Sequence, residues 1–151
     1  LQALAAIIVD KRTLTVPGRF DSLAEISNFI IQVARDAGFE EDDVFHIQMA
    51  VDEACTNVIE HAYGQDAGGD IDLICQLADG GELRIDIRDR GKPFDPDEIP
   101  VPQVGQGQLD LDELKAGGLG VFFMRKLMDE VTFHFDEQTG NHLTMVKRSK
   151  R

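Results

Sequence analysis

The 151-residue sequence predicts an α+β fold, a two-layer arrangement in which helices cover one face of a mostly antiparallel sheet, as a single domain with its core between about residues 14 and 147. Three patterns carry that expectation. Two segments with helical periodicity precede a pair of alternating segments joined by Asp79-Gly80-Gly81, a proline- and glycine-rich stretch then erases the periodicity, and a further helical segment leads into a second strand pair. The length fits one domain, because a chain of this size buries roughly 68–70% of its unfolded surface without disulfides or a structural metal.

Residues 13–20 read as a short strand, with Pro17 placing it at a sheet edge. Ser22 and Glu25 have the spacing of a capping box, and Leu23, Ile26, Ile30, Val33 and Ala37 recur at helical intervals until Gly38. A second helix is expected from Glu41 to Asp43, whose acids complement the positive end of its dipole, to about Tyr63. Its buried stripe is Val44, Ile47, Val51, Ala54, Cys55, Val58 and Ala62. Gly68-Gly69 ends that pattern, and Asp70 to Ala78 and Glu82 to Asp89 form a hairpin. In its second strand Leu83, Ile85 and Ile87 alternate with Arg84, Asp86 and Arg88, the period of a sheet with one wet face. From 90 to 117 the periodicity is lost; a stretch of that length in a compact domain is a functional lid or a disordered segment. Residues 118–129 then read as a helix whose Val121, Phe122, Met124, Leu127 and Met128 face the sheet, followed by strands near 131–136 and 142–148.

Charge narrows the function. With 15 Lys plus Arg against 28 Asp plus Glu, the net charge of −13 disfavours nucleic acid, whose phosphates call for clustered cations. The one basic cluster, 147–151, reads as a solvated end. Cys55 and Cys75 sit in apolar surroundings without CxxC spacing, which suggests neither zinc nor a disulfide and points to a reducing cytoplasm. The apolar stretches 4–9 and 119–124 are far shorter than the roughly 20 residues of a membrane helix. The sequence opens on Leu1, so a preceding segment stays open.

Three places offer chemistry. Glu53, Asn57 and His61 lie four apart, so on a helix they step about 40° and roughly 6 Å each time and look out along one line. Such a line holds a metal and its water, or is a solvated face. Asp89-Arg90-Gly91-Lys92-Pro93 follows a hydrophobic strand: a carboxylate there accepts hydrogen bonds from a ligand amine and Gly91 lets a flat ring approach, although the same residues also make an ordinary turn. Gly117-Gly118-Leu119-Gly120 opens an apolar helix, where glycines leave free N–H groups open to phosphate, or serve as a hinge or a loose linker.

In this order and context, the segment from Phe45 to Tyr63 (FHIQMAVDEACTNVIEHAY), with Asp89-Arg-Gly-Lys-Pro-Phe-Asp-Pro96 and Gly117-Gly-Leu-Gly-Val-Phe-Phe-Met124, resembles the anti-sigma-factor serine/threonine kinases of the RsbW type. These belong to the ATPase superfamily shared by gyrase, heat-shock chaperones, histidine kinases and mismatch-repair proteins. The resemblance implies that fold with a lid at about 90–117, and it implies ATP and Mg²⁺ as cofactors. It assigns Glu53 as the general base toward a partner's hydroxyl, Asn57 as the magnesium ligand and Asp89 as acceptor of the adenine amino group. Gly91 lies beneath the ring, and Gly118 and Gly120 stand at the triphosphate. Thr144 fits the adenine-side threonine, with a β-branched strand filler as the competing reading; His61 is structural or near the nucleotide.

Lys115, before Ala116, stands where such kinases often carry an arginine near the terminal phosphate; it neutralises charge without offering a planar fork. The lid acids Asp95, Asp97, Glu98, Asp110, Asp112 and Glu113 would repel bare triphosphate, which raises the importance of Mg²⁺. The implied partners are an anti-sigma-factor antagonist of the STAS type, which is phosphorylated, and a sigma factor, which is sequestered, in a cytoplasmic homodimer without nucleic-acid or membrane contact. The alternative is a catalytically inactive, nucleotide-dependent switch that binds proteins.

Overall fold

The structure, a computed structural model, describes residues 7–63, 68–93 and 118–149. In chain order these form β1 (Ile8–Pro17), a 3₁₀ turn (Phe20–Ser22), α1 (Leu23–Asp36), α2 (Glu41–Asn57) continuing as a π-helical turn (Val58–Ala62), β2 (Asp70–Ala78), β3 (Glu82–Asp89), α3 (Gly118–Leu127), β4 (Glu130–Asp136) and β5 (Gly140–Arg148). The strands form one five-stranded sheet in the order β1-β2-β3-β5-β4, every neighbouring pair antiparallel. Among the described residues no helix is long and apolar enough to cross a membrane.

Register sorts the side chains into two faces. Leu14, Leu73, Ile87, Leu143 and Phe133 form one cross-sheet row, and Cys75, Ile85, Met145 and Val131 share the next row on the same face. Ile26, Ile30 and Val33 of α1, Ile47, Val51 and Ala54 of α2, and Val121 and Met124 of α3 join these rows in one buried cluster. Thr13, Ile74, Asp86, Thr144 and Thr132 make the alternate row, on the face away from the helices. Both cysteines are buried in the core; burial raises their thiol pKa values, so they pack as small hydrophobes.

The β2–β3 hairpin has the limits read from the sequence, but other elements differ from the expectation. β1 starts at Ile8 rather than 13 and stops at Pro17, because β2 supplies partners from Ala78 opposite Ile8 to Asp70 opposite Pro17, with one register shift between Ile8 and Asp10. The capping box does not form. Ser22 is buried in helical geometry (φ −82°, ψ −14°) with no side-chain cap bond, and the 3₁₀ turn takes over, Leu23 N–H donating to the Phe20 carbonyl. On α2 Val58 is only half-buried, whereas Ala50 and Ile59 join the core. Lys147 is not part of a solvated tail: it is buried on the helix face, where its Nζ donates to the Leu127 carbonyl (2.6 Å) at the end of α3 and lies 3.8 Å from Asp43 Oδ1 in the first turn of α2.

Candidate active site

β3 places Leu83, Ile85, Ile87 and Asp89 on the helix face, so the aspartate falls where the core row calls for an apolar side chain. Asp89 is 5% exposed. Its Oδ1 accepts from the Gly91 N–H and from Asn141 Nδ2, each at 2.9 Å, and Asn141 Nδ2 also donates to the Lys92 carbonyl at 2.8 Å. Oδ2 takes part in none of these bonds. Burial pushes the Asp89 carboxyl above the usual carboxylate range, and the bonds from Asn141 and Gly91 oppose that rise. Gly140 lies against the same loop with φ +90°, and a Cβ there would collide with the Asp89 carbonyl.

Tyr63, just beyond the π-helical turn, fastens this loop from the other side. Its hydroxyl accepts from the Arg90 N–H (2.8 Å) and donates to the Asp70 carbonyl (2.6 Å). A Cβ on Gly18 would stand 2.5 Å from the ring, so glycine leaves the space the ring fills. One side chain thus ties the end of α2, the start of β2 and the loop after β3. Tyr63→Phe is expected to destabilise the protein by roughly 1–2 kcal/mol and to speed hydrogen exchange at the Arg90 amide, read by thermal melting and exchange mass spectrometry.

Asn57, at the end of α2, faces Asp89 across a cleft with about 450 Å³ of empty space, whose walls include Ala54, Ile87, Met124 and Asn141. Asn57 is 8% exposed and its Nδ2 has no hydrogen-bond partner among the described residues. The two ends of an amide are exchanged by a simple flip, so the same site can present the oxygen to a cation. One turn earlier Glu53 lies against α3: a Cβ on Gly120 would stand 2.5 Å from Glu53 Oε2 and 3.8 Å from Asn57 Nδ2. Glycine at 120 therefore keeps carboxylate, amide and the first turn of α3 together. Burial, then the Glu60 charge, raises the Glu53 pKa, which suits a proton acceptor. The adjacent Asp52, not singled out from the sequence, has a buried Oδ1 without a partner among the described residues, and burial followed by the Glu53 charge raises its pKa too. Among the described residues no three acidic, histidine or cysteine side chains converge as a metal site, so a divalent cation at Asn57 would draw its other ligands from phosphate and water.

The structure thus gathers Glu53, Asn57, Asp89, Gly91 and Gly120. Gly118 begins α3, while Lys115 and the lid acids lie outside the described residues. It does not bring in Thr144, which pairs with Asp86 on the opposite face and donates to Asp86 Oδ1 at 2.6 Å. The residue paired with Asp89 is Asn141, three positions earlier and so on the other face of β5. The alternation of Leu143 and Met145 around Thr144 carried that signal in the sequence. His61 also departs from its line, since the π-helical turn begins right after Asn57 and leaves the ring exposed, 3.8 Å from Glu60.

Residues 16–147 match the family described as histidine kinase-like ATPase domain. The chain is 34% identical to a serine-protein kinase RsbW of Halalkalibacterium halodurans over 91% of this chain and 83% of that protein. It is 35% identical to the RsbW of Bacillus licheniformis, covering 76% of this chain and 71% of that one. Among solved structures it is similar in fold to the RsbU and RsbW domains of a Mycobacterium tuberculosis protein (TM-score 0.66, 18% identity, 93% of this chain, 32% of that longer one). A blue-light activated histidine kinase of Erythrobacter litoralis has a TM-score of 0.55 at 19% identity, over 88% of this chain and 42% of that one. With five antiparallel strands under its helices and a family match that runs from the edge strand β1 into β5, the chain belongs to the histidine kinase-like ATPase family and, within it, to the RsbW serine-protein kinases.

Proposed function

We propose that this chain, an ATP-dependent serine-protein kinase, binds the nucleotide in the Asp89–Asn57 cleft and transfers its γ-phosphate to a serine of a STAS-type anti-sigma-factor antagonist, sequestering a sigma factor when that antagonist is absent. The observation that carries the reading is the convergence at Gly120 of a proton-accepting carboxylate and a buried amide unpartnered among the described residues, the amide lining a cleft that also holds a pinned carboxylate. Asp89 Oδ2 receives the adenine amino group, and Gly91 leaves room for the ring. Asn57 would hold Mg²⁺, which when bound would supply positive charge to the phosphates. Glu53 takes the proton from the serine Oγ; the Oγ then bonds to the γ-phosphorus as the bond to the bridging oxygen breaks, and that electron pair leaves on ADP. The protein acts as a cytoplasmic homodimer.

Calorimetric titration with ATP, with and without Mg²⁺, tests this. Magnesium-dependent binding that Asn57→Ala weakens about tenfold or more is expected, while retention of full magnesium dependence in Asn57→Ala removes the metal role from that residue.

A further inference from the structure

α2 presents Phe45, Met49 and Glu53 at intervals of four, a line that advances roughly 6 Å per step. Phe45 is 56% and Met49 38% exposed, a high exposure for large apolar side chains next to an acidic one. α3 runs alongside with Gly120, Phe123 and Leu127, and Phe123 is 42% exposed. Between the two helices lies a groove with about 550 Å³ of empty space, in which Glu53 is the sole ionisable side chain among the described residues that line it.

This groove is distinct from the Asp89–Asn57 cleft but adjoins it: Met124 lines both, and a Cβ on Gly120, which lines the groove, would meet Glu53 of the groove and Asn57 of the cleft. Phosphoryl transfer holds the entering and leaving oxygens roughly in line on opposite sides of the phosphorus. A nucleotide in the cleft therefore leaves the acceptor hydroxyl to arrive from the groove, past the carboxylate that takes its proton. The apolar walls then meet whatever flanks that hydroxyl.

We propose that the α2–α3 groove docks the protein substrate through a segment that carries the acceptor serine at the Glu53 end and one or two large apolar side chains within about 12 Å of it, seated on Met49 and Phe123. The proposal rests on the kinase reading above. A contact this small suits a partner that leaves after transfer, with a few apolar anchors setting the Michaelis constant.

The test uses the full chain, γ-labelled ATP and the purified STAS-type antagonist of the same organism as acceptor. Met49→Gln combined with Phe123→Gln is expected to raise KM for the antagonist about tenfold or more while calorimetric ATP affinity stays unchanged. Phe45→Gln, the most exposed of the three, is expected to give a smaller rise in the same KM and serves as the second variant if the double one melts early. Phe20→Gln, 50% exposed before α1, is the control that leaves KM unaltered. An unchanged KM in the α2 and α3 variants, with transfer intact, overturns the docking assignment and leaves the kinase reading standing. Loss of ATP affinity with an unchanged KM also overturns it, because the groove then serves the nucleotide or the chain's own residues 94–117. No label on the antagonist from the unaltered protein overturns the choice of substrate, and the docking proposal with it.

Discussion

Glu53→Gln is expected to lower phosphate transfer to protein by about 10²–10⁴-fold while ATP stays bound. The substitution keeps the shape of the side chain that Gly120 accommodates and removes only its capacity to take a proton. Burial and the Glu60 charge hold the Glu53 carboxyl above its ordinary range, so the ionised base is lost as pH falls through that raised value. The transfer rate of the unaltered protein should therefore rise with pH through the mildly acidic range, and the variant's residual rate should lack that limb. A pH–rate profile with calorimetry on both proteins checks it; a variant with an intact rate and an intact limb assigns the base elsewhere, and Asp52, half-buried beside it with a raised value, is the next residue to change.

Asp89→Asn should separate function from stability. Losing a hydrogen bond from a nucleotide amine to a buried carboxylate costs roughly 1.5–3 kcal/mol, about ten- to a hundredfold in affinity. The free protein should not suffer. A carboxyl whose folded-state value is raised contributes stability below its unfolded value and loses it as pH rises through the folded one, so at neutral pH the ionised Asp89 is held at a cost. Asparagine removes the charge and still offers an oxygen to Gly91 and Asn141. The expected result is an unaltered or higher Tm without ligand, and a smaller rise in Tm with MgATP than the unaltered protein shows at the same nucleotide concentration. A lower Tm in the free variant would make Asp89 a structural residue.

Where side-chain period decides structure, the sequence was readable. The β2–β3 hairpin follows from alternation and its Asp-Gly-Gly turn, and the stripes of α1 and α2 follow from helical spacing. Where a neighbour decides, it was not. β1 reaches back to Ile8 across Asp10, Lys11 and Arg12, which carry no apolar period, because β2 offers the hydrogen bonds. The π-helical turn leaves no compositional mark, yet it sends His61 away from Asn57. Glu53 and Asn57 are legible as polar side chains four apart on one line of a helix, and Asp89 as a carboxylate that closes a hydrophobic strand. The resemblance points to Thr144, whereas strand parity puts Asn141 on the face that Asp89 shares.

β5 is the last of the described strands in sequence, yet it lies inside the sheet, between β3 and β4. A nascent chain leaving the ribosome therefore carries β3 with an open, apolar edge until the final hairpin arrives, the condition in which unpaired strands associate wrongly. The short turn at Glu137 to Thr139 lets β4 and β5 pair locally and dock as one piece, so a single late event covers that edge and delivers Asn141 to Asp89. On the proposed nucleotide site, competence to hold ATP and completion of this sheet arrive in the same step. A partly synthesised or C-terminally nicked chain thus holds a helix line with Glu53 and Asn57 but no finished pocket, and ATP reports on the integrity of the last strand as much as on the site itself.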